Sequence, residues 1–505
     1  MARRRIVSVW LKRWPLERLA RTPGGMPPEP AVAVRALGQR REVVCVSEAA
    51  EAAGLHAGLT VALAQASVPG LSVVEADETQ DAAALYRLSL WALRYTPLVM
   101  TDEGEGPPDG LVLDITGAAH LMGGEAALLA DLLARLRDAG LSAQGAVADS
   151  QAAAWALARF APPLEGGVVS AQGHAARDTA DLRIAALRLG APETNALLRL
   201  GFDRIGDVMK APPAALSLRF GPALVARLAA LRGDAYEPLS PVLPPDAPSA
   251  AQAFAEPIGH TAGVEGALAR LAGYLCRVLT DRGQGARVLD LLCHRVDGEV
   301  FALRVRCASP SREAGHLCRL FAETLDTVDP GFGIEQMTLV ARRTEAVRAR
   351  QLGAEDGRAP PLPPLIDKIA ARIGQRAVYR IEPTASDVPE RSFRRVPALA
   401  PRAALVWDRA PRPAVLIEPP APARVIALLP DHPPVRFSWR GGEHRVVRAD
   451  GPECVFGEWW LADEEVALTR DYYRVEDEAG RRWWLFRARD AADGTAEWFV
   501  HGAFA

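Results

Sequence analysis

Lysine is almost absent: Lys12, Lys210 and Lys368 are three of the 59 basic residues, so the other 56 are arginine, in a chain of 505 residues. Genomic base composition accounts for such a bias; recognition of phosphates by planar guanidinium forks is the functional alternative. There is no basic excess either. The formal charge is -3, with 59 basic against 62 acidic residues, which excludes a uniformly basic nucleic-acid coat and leaves local patches or backbone amides for any such contact. Cysteine is sparse: Cys45, Cys276, Cys293, Cys307, Cys318 and Cys454 form no CxxC pair, so neither a zinc site nor a disulfide framework is indicated, and a reducing, cytoplasmic location is expected. No run approaches the roughly 18 uninterrupted apolar residues of a spanning helix. The short apolar run Ile6 to Leu11 is closed by Lys12 and Arg13 before a secretory core could form. A Walker-type phosphate loop, GxGxxG after a strand, HExxH and GxSxG are all missing, and the nine histidines are scattered singly, so no cofactor or metal site is indicated.

What is present is size and pattern. With 49% hydrophobic and 24% charged residues the chain reads as folded, and at roughly 100 to 200 residues per domain its length fits about three to five domains. The first 160 residues alternate apolar runs with amphipathic helices: Ile6 to Leu11 and Val43 to Val46 read as strands, Asp81 to Arg94 and Glu125 to Ala139 as helices with leucines three and four apart. Leu111 to Ile115 reads as a buried strand ending in Thr116-Gly117, so this region is a mixed α/β layer. From about 182 to 240 the pattern is helical. Leu189-Gly190-Ala191-Pro192, a helix through Leu200, then Gly201 to Val208 has the shape of a helix-hairpin-helix unit, whose glycine turns offer backbone amides to a phosphate. An ordinary helical hairpin is the alternative.

Proline-rich Leu239 to Pro248 separates a third unit, with a strand at Ala253 to Ile258 and a helix at Gly263 to Thr280. A hairpin of Val288 to His294 and Phe301 to Arg306, a helix at Ser311 to Thr327 and a strand at Gln336 to Ala341 complete it. This βαββαβ order leaves one sheet face free for a partner, although 13 arginines against 12 acids over 251 to 350 give no basic stripe. A linker follows Glu345, then a short amphipathic helix at Leu365 to Ile373 and a proline-rich, extended connector at 397 to 434. Residues 391 to 450 carry eleven arginines and five acids, either solvated linker charge or a nucleic-acid contact. The last 70 residues alternate as strands. Trp459, Trp460, Tyr472, Tyr473, Trp483, Trp484, Phe486 and Trp498 lie there among arginines, either as the core of a small barrel or sandwich or as a base-stacking platform.

Paired carboxylates at a strand end are the best remaining candidate for chemistry. In Pro107 to Gly117, Asp109 lies just before the strand and Asp114 within it. Residues five apart on a strand point to opposite faces and cannot share a metal, so Asp114 is expected to cap the Thr116-Gly117 turn.

Leu113 to Gly117 resembles the latter half of the palm strand of the Y-family, the lesion-bypass DNA polymerases. Gly54 to Leu59 with Ala62 to Ala66, the helix-hairpin-helix at 187 to 208 and the βαββαβ unit at 253 to 342 fall in that family's order. The resemblance covers about 1 to 345 and implies a multidomain α+β fold. Palm and fingers fill 1-165, a helix-hairpin-helix thumb 166-245 and a βαββαβ little finger 246-345. A linker with a short helix and the connector (346-433) and a β-rich C-terminal domain (434-505) follow. Such polymerases use two magnesium ions bridged by carboxylates. Here Trp10 and Lys12 stand where the first strand has its aspartates. Asp109 falls at the palm aspartate, but Gly110 replaces the adjoining glutamate, and the triphosphate-gripping Tyr and Arg fall at Glu48 and Glu51. The resemblance therefore implies a dead polymerase site.

The ImuB-type branch of bacterial mutagenesis cassettes is similar throughout, from Val9-Trp10-Leu11-Lys12-Arg13 to Gly457-Glu458-Trp459-Trp460 and Asp471 to Val475. That likeness implies a non-catalytic adapter in SOS-induced translesion synthesis and mutagenesis, nucleoid-associated during DNA damage. It would bind DNA and bridge the sliding clamp, an ImuA-type RecA-like protein and an error-prone replicative-type polymerase. Arg188, Gly190, Thr194 and Gly206 would contact DNA, with Arg188 where the first hairpin glycine is expected. The clamp peptide falls at Gln351-Leu352, which lacks an aromatic anchor, so clamp binding through it is expected to be weak. The alternative is an active Y-family nucleotidyltransferase using displaced acids such as Asp109, Asp102 or Glu103.

Overall fold

A computed structural model describes residues 4-22, 25-38, 40-102, 108-326, 328-347, 362-374, 377-401, 412-428, 432-458, 469-489 and 496-504. The chain divides into two compact units, 1-372 and 373-505. In the first, β1 (Ile6–Leu11) and α1 (Trp14–Leu19) lead into a small lobe made of β2 (Ala31–Leu37), β3 (Arg40–Val46), α2 (Glu48–Ala52), α3 (Val61–Ser67) and β4 (Ser72–Glu75). Then come α4 (Glu78–Ala92), β5 (Leu98–Thr101), β6 (Gly110–Asp114), α5 (Glu125–Asp138), β7 (Ala143–Ala148), α6 (Gln151–Phe160) and β8 (Val168–Val169). They close a five-stranded sheet of order β5-β6-β1-β7-β8. Central β1 runs antiparallel to both neighbours, with Trp10 opposite Gly110 and Gln144. Strand alternation sorts its side chains: Val7, Val9 and Leu11 join the buried leucines of α5, while Ile6 packs with the alanines of α6. Trp10 shares the α6 side.

The helical region comprises α7 (Ala175–Thr179), α8 (Ala191–Arg199), α9 (Ile205–Lys210), α10 (Pro213–Phe220) and α11 (Pro222–Arg232). Prolines start α8, α10 and α11, where their missing N–H costs no intrahelical bond. The third region is β9 (Ser249–Ile258), α12 (Thr261–Asp281), β10 (Gln284–Arg295), β11 (Val300–Ser311), α13 (Ala314–Leu325) and β12 (Ile334–Ala346), in βαββαβ order with the sheet running β11-β10-β12-β9. The second helix starts at Ala314, later than its serine suggested, because Ser311 still pairs with Ala286 as the last residue of β11.

The free sheet face inferred from this order is corrected. Leu292 and Val300 on that face are buried against Leu98 of β5, and Arg304 Nη1 donates to the Leu93 carbonyl at 2.6 Å. Asp290, fully buried, accepts from Arg304 and Arg342 beside them. Two apolar side chains among the sheet's polar ones gave that face something to bury. The first unit closes with α14 (Leu362–Ile373).

The second unit holds a hairpin of β13 (Tyr379–Pro383) and β14 (Phe393–Pro397) and a closed barrel of β15 (Val415–Ala427), β16 (Pro434–Trp439), β17 (Gly442–Phe456), β18 (Thr469–Asp477), β19 (Arg482–Arg489) and β20 (Ala496–Ala503). One expectation fails here, and one open alternative is decided. The proline-rich stretch is no extended connector, since β15 is a barrel strand. It tolerates Pro419 and Pro420 because they fall in the register break between Leu416 and Ala421, where no ladder bond needs their missing N–H. The buried described aromatics follow the barrel-core reading rather than the stacking platform. Tyr472, Tyr473, Trp484 and Phe486 are buried, with Tyr472 and Trp484 stacked 4.1 Å apart; Trp459 and Trp460 lie outside the described residues. Among the described residues no helix is long and apolar enough to cross a membrane.

Candidate functional site

Trp10 and Lys12, at the end of β1, face different partners. The Trp10 indole Nε1 donates to Asp109 Oδ2 at 2.8 Å. Arg159, near the C-terminal end of α6, reaches the same carboxylate: its Nη2 lies 2.6 Å from Asp109 Oδ1 and 2.7 Å from Asp102 Oδ2. Arg188 donates from Nη1 to the other oxygen of Asp102 at 2.9 Å. The Asp102 side chain is 1% exposed and that of Arg159 7%, whereas Asp109 is 44% exposed. Both guanidinium groups lie over Trp155, at 4.6 and 4.9 Å from its ring. A single guanidinium nitrogen therefore sits between two carboxylate oxygens, the position a bridging cation would need.

Gly110 is fixed by its neighbour strand. A Cβ there would stand 2.3 Å from the Val9 carbonyl oxygen and 3.3 Å from Arg159 Nη2. Backbone yields less readily than a flexible side chain, so any side chain here, a glutamate included, requires the neighbouring strand to shift. The two magnesium ions of a Y-family polymerase do not fit these residues. Trp10 and Lys12 cannot ligate them, Gly110 offers no oxygen, and the two nearby aspartates are already matched by arginine.

Lys12 turns toward α2. Its ammonium is bonded to Glu51, whose other oxygen accepts from Arg13 at 3.1 Å, while Glu48 takes a second Arg13 contact at 3.2 Å. Ser47 caps the helix through the Ala50 amide, and both glutamates sit in its first turn, where the helix dipole favours acid. The hydrogen bond from Lys12, with help from Arg13, holds the Glu51 carboxyl below the ordinary range. A cation at the end of β1 is thus matched by acids in the first turn of α2.

Asp114 behaves as expected, accepting from the Thr116 amide at 2.9 Å and from Arg4 at 3.1 Å. The helical hairpins do not bring their named residues together as a phosphate cradle. Arg188 adopts left-handed backbone (φ 54) and spends its guanidinium on Asp102. The Gly206 amide donates to Ala180 O at 2.8 Å, and a Cβ on Gly206 would meet that carbonyl at 3.0 Å, so this glycine serves packing. Gly190 precedes α8 as its N-cap, and the Thr194 amide closes the first turn onto its carbonyl at 3.0 Å. Gln351, Leu352 and Glu103 lie outside the described residues. The sequence reading missed Arg159 as a partner; its one signal was Trp155, four residues earlier on the same helix face.

Residues 20-159 match the model of the impB/mucB/samB family. Protein ImuB of Caulobacter vibrioides, from strain NA1000 / CB15N and from strain ATCC 19089 / CIP 103742 / CB 15, is 42% identical over 463 residues, covering 89% of this chain and 100% of the relative. Among solved structures, the crystal structure of DinB from Sulfolobus solfataricus aligns at 13% identity with a TM-score of 0.38 over 67% of this chain and 98% of that one. The insertion ternary complex of Dbh DNA polymerase aligns at 12% identity with the same score and coverage. Given the extent of its identity to the Caulobacter proteins, the chain belongs to the ImuB family of Y-family polymerase-like proteins.

Proposed function

We propose that this chain is a non-catalytic adapter in DNA damage tolerance: it binds DNA during SOS-induced translesion synthesis and recruits an error-prone polymerase that performs the synthesis. The reading rests on one observation above all. Arg159 bridges Asp102 and Asp109 where a two-metal mechanism needs an ion, and Trp10, Lys12 and Gly110 supply no replacement oxygen. The inverted Lys12–Glu51 pair supports it, since an acid at the triphosphate grip repels nucleotide. In this assignment 1-165 is palm and fingers, 166-245 thumb and 246-345 little finger. The remaining residues carry the links to the sliding clamp, through Gln351 and Leu352, and to an ImuA-type RecA-like protein. Gly190 and Thr194 at the start of α8 are the DNA contacts retained in this proposal, because Arg188 and the Gly206 amide are engaged within the protein.

Primer extension by the purified chain with magnesium and all four nucleotides tests the catalytic half. No extension is expected. Extension that disappears on Asp109→Ala would establish an active nucleotidyltransferase and overturn the adapter reading. Affinity capture from DNA-damaged cells, with and without residues 346-505, tests recruitment: the polymerase should be lost with the extension.

A further inference from the structure

Cys307 on β11, His316 on α13 and Asp367 on α14 are brought together beneath α14, all buried, with one donor atom of each within 4.8 Å of the others. Among the described residues no other three Cys, His, Asp or Glu donors meet this way. His316 Nε2 stands 2.9 Å from Asp367 Oδ2, and the other Asp367 oxygen takes the Ala308 amide, an outer partner that fixes the carboxylate.

The orientation of α14 makes the cluster stand out. The helix turns Leu362, Leu365, Ile369 and Ile373 outward, at 40 to 60% exposure, and buries Asp367 at 3%. An amphipathic helix set this way buries little more than Ile366, Ala370 and its prolines in part, so polar contacts carry much of its hold on the domain. One exposed ion pair helps: Arg372 meets Glu323 of α13 at 3.2 Å. Such a pair is worth no more than about 1 kcal/mol.

We propose that Cys307, His316 and Asp367 form a zinc site that staples α14 to the βαββαβ domain. Thiolate, imidazole and carboxylate are a donor set suited to zinc, and three protein ligands leave one position for a water. Binding releases the Cys307 proton to solvent and forms the S–Zn bond; the proton on His316 Nε2 passes through solvent to Nδ1, so that the neutral imidazole binds through Nε2 and the His316–Asp367 hydrogen bond gives way to an N–Zn and an O–Zn bond. The spacing hid the site, because its three ligands are 9 and 51 residues apart in sequence and contain no paired cysteine motif.

The full-length chain, purified without chelator and equilibrated with buffered zinc, should hold about one zinc per chain by elemental analysis. Cobalt in its place should give thiolate-to-cobalt charge-transfer absorption. Cys307→Ser and Asp367→Asn should each weaken zinc binding by more than the roughly 10- to 100-fold typical of losing an outer partner. Cys293→Ala, which removes another buried thiol of the same core, should not. At free zinc 100 times Kd, the α14 amides should exchange about 100-fold more slowly than in the metal-free chain. Should the parent chain take up no zinc, or cobalt bind without the charge-transfer band, the site is refuted, and the His316 and Ala308 contacts of Asp367 together with the Arg372–Glu323 pair hold the helix. Unchanged binding in Cys307→Ser refutes it equally, whatever the stability of the other variants.

Discussion

Removing Arg159 should loosen the palm sheet where β6 meets α6. In Arg159→Ala, Asp102 loses one of two cationic partners while remaining at 1% exposure. Truncating one member of a buried pair costs about 3–5 kcal/mol when the survivor is left alone. Two features lower that figure. Arg188 still reaches Asp102 at 2.9 Å, and Asp109, 44% exposed, can exchange its lost bond for water. The lost stacking on Trp155 adds back about 0.5–1 kcal/mol. The net effect is about 2–3 kcal/mol, which at 1.4 kcal/mol per decade is about a 30- to 150-fold rise in local opening.

Hydrogen exchange of peptides spanning Gly110–Asp114 and Gln151–Phe160 reads that opening directly, without assuming that a two-unit chain unfolds in one step. Adding Asp102→Asn to the same chain should recover part of the loss, because the residual buried charge disappears with it. Exchange within about 2-fold of the parent would show that Arg159 is not the cation holding these carboxylates, and the account of the palm given above would fail.

Charge reversal by Lys12→Glu should lower stability by about 0.5–1 kcal/mol, modest because Glu51 is 39% exposed, and Lys12→Glu with Glu51→Lys should restore most of it, read as melting temperature. Because the folded Glu51 carboxyl lies below its unfolded value of about 4.3, the pair contributes fully above that pH and fades as pH falls through the lower folded value. Lys12→Ala should therefore flatten the acid limb of the melting curve, and an unchanged limb would count against the pair. Gly110→Glu should destabilise by about 1–3 kcal/mol and yield no primer extension, since its Cβ meets Val9 O at 2.3 Å. Trp484→Ala should cost the barrel about 3–5 kcal/mol in urea unfolding of the 373-505 unit, and salt-sensitive single-strand binding by that unit would return its aromatics to a stacking role.

The palm and βαββαβ elements were legible because their apolar periods are local: the strand through Trp10, the leucines of α5 and the hairpin turned at Asp297-Gly298 each declare themselves within a dozen residues. Position-by-position departures at Trp10, Lys12, Gly110, Glu48 and Glu51 could also be read by comparison with a family pattern. The cation that engages the palm carboxylates could not. Arg159 meets Asp102 and Asp109 across 57 and 50 residues, and nothing in their neighbourhoods says that three separate elements converge. Prolines misled in β15 because a register break absorbed them, and the covered sheet face misled because only its tertiary neighbour, Leu98, explains Leu292. Nor does the sequence around Arg188 show that its guanidinium meets Asp102, 86 residues away.

The close approach of Val9 and Gly110 bears on descent. Ordinary loss of an active site leaves a path back, one acid at a time. Here an acid at 110 must displace a strand backbone, acids at 10 and 12 would break the Asp109 and Glu51 contacts, and Arg159 would still occupy the carboxylates between them. On the adapter proposal, each single change to an acid is expected to be less stable than its parent and no more active, and proteins sit only a few kcal/mol above the threshold for folding. If the chain is the non-catalytic adapter proposed above, loss of polymerase chemistry would act as a ratchet, leaving selection to work on what the scaffold can hold.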